Sequence, residues 1–431
     1  MTKILLALVL FSAQAYCLPG GALKSPLLDQ LSESSGLKAE IVTPEITEPA
    51  DDRLADRYWI TVEAPTAADR ALLSKTGLAF ENFDGNYVNG TIGTQSLQQV
   101  RRLGFKITYQ ATLSDFNLQF LKDFPQQDTR YHNYKETYDA LKAIQARLPA
   151  QTSLFSLGKT AQGRDLWALR FNNTEKGAAL SKKPGLALIG AHHAREHLSV
   201  EIPLAIAQWL ADNIARPEVA KLMAERDVFV IPMVNADGAE YDIATGKYAW
   251  WRKNMNKVPG SSAVGVDLNR NYGWSWGGDS ADPDSETYQG PKAFSEPETQ
   301  VIKAFFDRYT NMKIMISYHS YGQLVLYPWG DADHLITDQK DLKAHQNIAA
   351  KMAGVMPGYR AMQSSDLYPA TGDTCDWSYG AHKVLSFTIE LDPGRYGYGG
   401  FYPGSAIVDG AAKVNISAAY YALQMAGNPY Q

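Results

Sequence analysis

Gly185-Leu186-Ala187-Leu188-Ile189-Gly190 runs without a break into Ala191-His192-His193-Ala194-Arg195-Glu196-His197. The first six residues are a continuous apolar run, the form taken by a central strand covered on both faces. The next seven hold three histidines, an arginine and a glutamate, a poor core segment because each such group must find a partner when buried. Two other apolar runs end the same way: Lys313 to Tyr318 leads to His319, and Val384 to Ile389 leads to Glu390. In open α/β sheets, ligands bind outside the carboxyl ends of strands. Three separate segments therefore deliver ionisable side chains to one edge. Val228 to Val234 reads as a further strand, and helical patterns cover 134–146, 199–213, 296–309, 339–355 and 407–425. The fold class is α/β, an α/β/α domain on a mixed, twisted sheet.

His193 and Glu196 are three residues apart, so one turn lets both converge on a single ion, with His319 as the third ligand. Two imidazoles and a carboxylate with a vacant fourth position make a catalytic zinc site; a structural zinc site is closed and rich in cysteine. Such an ion lowers the pKa of bound water to roughly 7 and polarises a carbonyl, so the implied reaction is hydrolysis. Spacing alone admits a rival: His193-x-x-Glu196-His197 fits an inverted zincin motif, with both histidines as ligands and the glutamate as base. That motif needs an unbroken helix, whereas a strand and Gly190 come immediately before it. His132, His334, His345 and His382 read as ordinary core or surface residues.

The chain has 431 residues, 45% of them hydrophobic and 20% charged, with a formal charge of −5. This excludes a collagen, a coiled coil or a mostly disordered chain. No basic block stands out, which argues against nucleic-acid binding. Lys3, the apolar run Ile4 to Phe11 and Ala13-Gln14-Ala15 have the order of a secretory signal over 1–15. The run is shorter than the roughly 20 residues a membrane span needs, and no later stretch approaches that length. The expected product is secreted or periplasmic. If processing removes Cys17, Cys375 stands alone and no disulfide within the chain is possible. After a polar stretch (16–56), residues 57–110 follow a β-α-β-β-α-β order around the turn Asp84-Gly85-Asn86, the split ferredoxin-like arrangement. Residues 111–130 read as a connector, with Lys122 and Arg130 as processing points, and 131–431 as the catalytic domain.

The chemistry-bearing segments come in a recognisable series. His193-Ala194-Arg195-Glu196, Trp251-Arg252-Lys253, Gly265-Val266-Asp267-Leu268-Asn269-Arg270-Asn271, Ser317-Tyr318-His319-Ser320-Tyr321 and Phe387-Thr388-Ile389-Glu390 together resemble the zinc metallocarboxypeptidases of the A, B and T types, with the T-type bacterial enzymes closest in character. The likeness runs from about Tyr131 to the C-terminus, and the ferredoxin-like segment resembles the family's activation domain more weakly. The resemblance implies one Zn2+ per chain, held by His193, Glu196 and His319, with Glu390 as general base and Arg252 stabilising the oxyanion. It implies that Asn269 and Arg270 clamp the substrate's C-terminal carboxylate, that Tyr368 caps it, and that Arg195 and Tyr321 belong to additional subsites. Asp267 is implied as the carboxylate orienting a zinc-bound histidine.

The specificity pocket implied by the family comprises Ser317, Leu326, Gly330, Asp373, Cys375 and Thr388. Cys375 stands where A-type enzymes have an apolar residue and B-type enzymes an acid, while Asp373 supplies an acid two residues earlier. Mixed acceptance of apolar and basic C-terminal residues is expected, with Asp373 as a loop cap the alternative reading. The loop Asp279 to Glu286 offers oxygen ligands but lacks the spacing of a calcium loop, and reads as acidic and solvated. The expected protein is a zymogen and a monomer, opened by an activating protease and acting on peptide or protein C-termini. The alternatives are a zinc amidohydrolase of peptidoglycan peptides and a catalytically silent peptide binder.

Overall fold

The computed structural model describes residues 57–84, 86–113, 130–245, 248–394 and 400–431. The expected signal, the polar stretch, Cys17 and Lys122 lie outside the described residues, as does most of the connector. All described residues fall in one compact unit, Ala50–Gln431. No helix among them is long and apolar enough to cross a membrane.

The chain first builds a four-stranded antiparallel sheet from β1 (Arg57–Glu63), β2 (Ala79–Asp84), β3 (Tyr87–Gly93) and β4 (Ile107–Thr112), in the order β2-β3-β1-β4. The helices α1 (Ala67–Ser74) and α2 (Thr94–Arg102) complete the β-α-β-β-α-β order. Alternate strand residues Ile60, Val62, Val88 and Ile92 bury one face against Leu73, Leu97 and Val100. A capping box starts α1: Thr66 Oγ1 accepts the Asp69 N–H at 3.1 Å, and Asp69 Oδ2 accepts the Thr66 N–H at 3.0 Å.

The larger sheet has eight strands: β5 (Thr152–Lys159), β6 (Asp165–Phe171), β7 (Gly185–Ile189), β8 (Asp227–Ile231), β9 (Met312–Gly322), β10 (Leu324–Tyr327), β11 (Arg360–Gln363) and β12 (Leu385–Gly394). Their order is β11-β10-β12-β9-β7-β8-β6-β5. The four middle strands are parallel, and β10 and β6 join them antiparallel on either side. Around the sheet lie α3 (Tyr134–Arg147), α4 (Leu198–Asn213), α5 (Pro217–Glu225), α6 (Ala236–Asp242), α7 (Pro297–Arg308), α8 (Gln339–Gly354), α9 (Ser364–Leu367), α10 (Thr374–His382) and α11 (Val408–Met425). Leu186, Leu188, Val228, Val230, Ile314 and Ile316 pack on one face with α3, α4, α8 and α11. Ala187, Ile189, Phe229, Ile231 and Met315 pack on the other with α7 and Trp377 of α10. Both sides of each strand meet an apolar layer, which is why these segments are continuous apolar runs and do not alternate.

The strand expected over 228–234 stops at Ile231, because Pro232 has no N–H for the ladder. Gly190 follows β7 where a Cβ would stand 2.1 Å from the Ser199 carbonyl oxygen and 2.7 Å from that of Pro232. Only glycine lets the strand end pass so close to both backbones. The chain leaves β7 through α4 to β8 on one side and later inserts β9 on the other. The strand order reverses at β7/β9, the place where open α/β sheets bind ligands.

Candidate active site and metal centre

His193 and Glu196 lie on the irregular segment between β7 and α4, and His319 lies within β9. His193 Nδ1 is 2.6 Å from Glu196 Oε1, His319 Nδ1 is 3.0 Å from Glu196 Oε2, and the two Nδ1 atoms are 3.2 Å apart. One ligand atom from each residue lies within 4.8 Å of the others, and all three side chains are buried. Asp267 Oδ1 takes the other ring nitrogen of His193, Nε2, at 3.1 Å. This fixes the tautomer that leaves Nδ1 with its lone pair. Two imidazole nitrogens and a carboxylate this close need a proton or a cation between them, and the donor set fits a zinc ion. Burial opposes the charge on Glu196, yet His193 and His319 hold its carboxyl below the usual range.

His197, the third residue of the rival motif, stays out of the cluster. Its Nε2 bonds Asp242 Oδ2 at 2.8 Å, and it only caps α4, which begins at Leu198. The helix that an inverted zincin needs is absent from this segment.

Register explains the next layer. Glu390 of β12 lies opposite His319 of the parallel β9 and opposite Leu324 of the antiparallel β10. Two residues deeper, Thr388 lies opposite Ser317 and Leu326 by the same ladders. A strand repeats its face every second residue, so Leu324, Glu390 and His319 form one row, and Leu326, Thr388 and Ser317 form another behind it. Glu390 is half-buried, and burial first, then the Glu196 carboxylate, push its pKa up to about 8.

Arg252 is buried, with Nε at 2.9 Å and Nη2 at 2.8 Å from Asp267 Oδ2. Asp267 thus joins Arg252 to His193; although burial works against its charge, Arg252 and His193 hold it well below the usual carboxylate range. Asn269 Oδ1 accepts the backbone N–H of Thr374 at 3.0 Å and its hydroxyl at 2.8 Å. Arg270 Nη2 donates to Tyr368 Oη at 3.4 Å, and its Nε faces Asp279 Oδ1 at 3.2 Å. One cavity is lined by His193, Glu196, Arg252, Tyr321, Tyr368 and Glu390. Asp373 is the N-cap of α10, with Oδ1 accepting from Cys375 N–H at 2.8 Å and Asp376 N–H at 3.0 Å. Cys375 is buried, and burial first, then Asp373, push its thiol well above the usual range.

Several participants are not visible in local sequence pattern. Phe80 and Glu81 of β2 line the same cavity. Glu81 pairs with Arg195, whose Nη1 also donates to Thr91 Oγ1 at 2.9 Å. The loop Asp279 to Glu286 is corrected: it is not simply acidic and solvated, because the Asp279 side chain pairs with Arg270 and Glu286 pairs with Arg57, each carboxylate only 5% exposed.

A family model described as zinc carboxypeptidase matches residues 137–413. The chain is similar to a zinc carboxypeptidase of Saccharothrix mutabilis subsp. capreolus, 32% identical over 86% of this chain and 89% of that protein. It is also similar to human carboxypeptidase A1, 33% identical over 64% of this chain and 66% of that protein, so that alignment spans just under two thirds of the human protein. The fold matches the crystal structure of carboxypeptidase A from Helicoverpa armigera with a TM-score of 0.71 at 22% identity, covering 86% of this chain and 98% of that one. With its His-Glu-His cluster at the strand-order reversal and these matches across most of its length, the chain belongs to the zinc carboxypeptidase family, hydrolases of the exopeptidase class that use one catalytic zinc ion.

Proposed function

We propose that this chain is an exported carboxypeptidase made as a zymogen, which removes both apolar and basic residues from the C-termini of peptides and proteins. The observation that carries the reading is the shared cavity, where the His193, Glu196 and Arg252 side chains meet Glu390 and Tyr368. Bound zinc, held by His193, Glu196 and His319, supplies Lewis acidity toward a carbonyl and toward water. Glu390 takes a proton from the attacking water and returns it to the leaving amine. Arg252, fixed by Asp267, faces the negative charge that grows on the carbonyl oxygen, and a fixed cation in a dry site acts more strongly than one in water.

Arg270 and Asn269 hold the terminal carboxylate, with Tyr368 over it. The Asn269 oxygen is already committed to Thr374, which leaves its NH2 group for the substrate. Only a chain end offers a carboxylate beside the scissile bond, so this clamp couples binding to exopeptidase action. The row Ser317, Thr388 and Leu326, with Gly330, Asp373 and Cys375, forms the pocket for the departing residue, and Arg195 and Tyr321 serve residues upstream.

Latency is supported by the N-terminal sheet. Phe80 and Glu81 occupy the cavity wall, the Phe80 ring is 4.6 Å from that of Tyr368, and Glu81 neutralises Arg195. An activating protease would cut between the two sheets, near Lys122 or Arg130. The test uses peptides ending in Phe, Leu, Arg, Lys or Glu, incubated with the full chain before and after limited proteolysis. The expected result is stepwise release of Phe and Arg after cleavage, stopped by a chelator and restored by zinc. Internal cleavage, or equal activity before and after proteolysis, contradicts the reading.

A further inference from the structure

Arg57 opens β1 on the N-terminal sheet, yet its side chain is buried against residues far along the chain. Its Nη2 bonds Glu286 Oε2 at 2.5 Å and the Trp250 carbonyl at 2.8 Å, and Nη1 faces the Ala249 carbonyl at 3.5 Å. The Trp251 ring lies 5.6 Å from its Cζ. A carboxylate, two carbonyl oxygens and an aromatic ring are the groups that recognise a guanidinium. The two carbonyls and the ring come from the segment just before Arg252, and the carboxylate comes from the loop that ends at Glu286. Arg57 Nε makes no hydrogen bond among the described residues, so recognition is end-on and requires a long side chain reaching inward.

The pocket adjoins the cavity through one residue. Arg195 Nη1 lies 3.6 Å from Glu286 Oε2 and donates to the Trp250 carbonyl at 3.3 Å, the same carbonyl that Arg57 uses. On its other side Arg195 meets Glu81, which lines the cavity. Removal of the N-terminal sheet strips Arg57 from Glu286 and Glu81 from Arg195 together. The Ala249 carbonyl then loses its Arg57 contact, Glu286 keeps Arg195 at 3.6 Å, and the Trp250 carbonyl keeps the Arg195 donor at 3.3 Å, so the place that Arg57 held still faces a carboxylate and two carbonyls.

We infer that Glu286 and the Ala249 and Trp250 carbonyls form a guanidinium subsite that Arg57 fills in the latent protein and that an upstream arginine of the substrate fills in the active one. The subsite rests on the proposed carboxypeptidase and zymogen reading. Arg195 is proposed above to serve residues upstream of the cut, and Glu286 lies 3.6 Å from it, so the subsite belongs to that side of the substrate. Lysine fits less well, because an ammonium cannot span the carboxylate and the carbonyls in one plane.

The zinc-loaded full chain is opened with trypsin, the trypsin is inhibited, and peptides ending in Phe are supplied with Arg or Gln at successive upstream positions. One register of Arg is expected to raise kcat/KM about tenfold over Gln, mainly through KM, and Glu286→Gln should cut that ratio to within about twofold. Equal rates for Arg and Gln in every register overturn the subsite, and are what direct closure of Arg195 onto Glu286 would give. Failure to release Phe from any peptide sinks the carboxypeptidase reading instead. The subsite is then judged on the intact full chain, where ethylguanidinium should raise the Tm of Arg57→Ala but not of Arg57→Ala/Glu286→Gln. Equal shifts in the two variants overturn it.

Discussion

One oxygen of Asp373 accepts two backbone N–H groups and starts α10, while the other is buried without a hydrogen-bond partner among the described residues. Burial first, with Asp331 adding to it, pushes the carboxyl up to about 6. Above that pH the free oxygen carries charge beside the proposed pocket, and below it the group is neutral. Release of C-terminal Arg relative to Phe should therefore fall as pH drops through about 6. Asp373→Asn should abolish that pH dependence and lower the Arg/Phe ratio while keeping the cap, since Asn caps as well as Asp. An unchanged ratio would leave Asp373 as a cap alone. The three metal-cluster residues were readable in the sequence because each ends or follows an apolar run. Glu81, Arg57 and Glu286 were not: their pairings join residues 114 and 229 positions apart, and no local pattern records such a meeting.

At the scale of elements, register does the positioning. A one-residue slip of β12 against β9 would turn Glu390 to the opposite face from His319. Buried groups at the far edge of the sheet hold strands in place: Arg170 on β6 meets Asp227 on β8 at 2.6 and 2.9 Å with both side chains fully buried. Asp227→Ala leaves that guanidinium uncompensated and should cost about 3–5 kcal/mol in denaturant unfolding; a loss under 1 kcal/mol would contradict this account.

His345 on α8 sets an acid limit. Its Nδ1–H donates to the Asp341 carbonyl at 2.9 Å and its Nε2 accepts the Ser386 N–H at 3.2 Å, so it is held neutral, and burial pushes its pKa down to about 4. The unfolded chain protonates it near 6.5, so stability present above about 6.5 is lost as pH falls toward 4. An NMR titration midpoint for His345 near 6.5 would contradict this. The central strands were legible as unbroken apolar runs and the long helices from their periodicity. The strands β10 and β11 have four residues each, too few for a period to declare itself, and the edge strand β5 and its neighbour β6 lack the continuous apolar run of the centre.

For the whole molecule, the two sheets define two tasks: the eight-stranded sheet carries the site and the four-stranded sheet lies against it. Glu81, Thr91 and Arg57 from three strands of the smaller sheet reach Arg195 and Glu286. Under the proposed latency, Glu81→Ala in the uncut chain should raise basal release of C-terminal Phe several-fold, because Arg195 loses its charged partner; an unchanged rate would contradict a part for the Glu81–Arg195 pair in it. The β-α-β-β-α-β order was legible in the sequence, but which of its edges faces the larger sheet was not, since that depends on contacts between distant segments. In the proposed mechanism Glu390 moves the proton while His193, Glu196 and His319 hold the metal. The most direct measurement compares proteolytically opened wild type with Glu390→Gln for zinc content and kcat on a peptide ending in Phe. One zinc per chain is expected in both, with kcat falling about 10²–10⁴-fold in the variant. A zinc-loaded Glu390→Gln protein that turns over at the wild-type rate would contradict it.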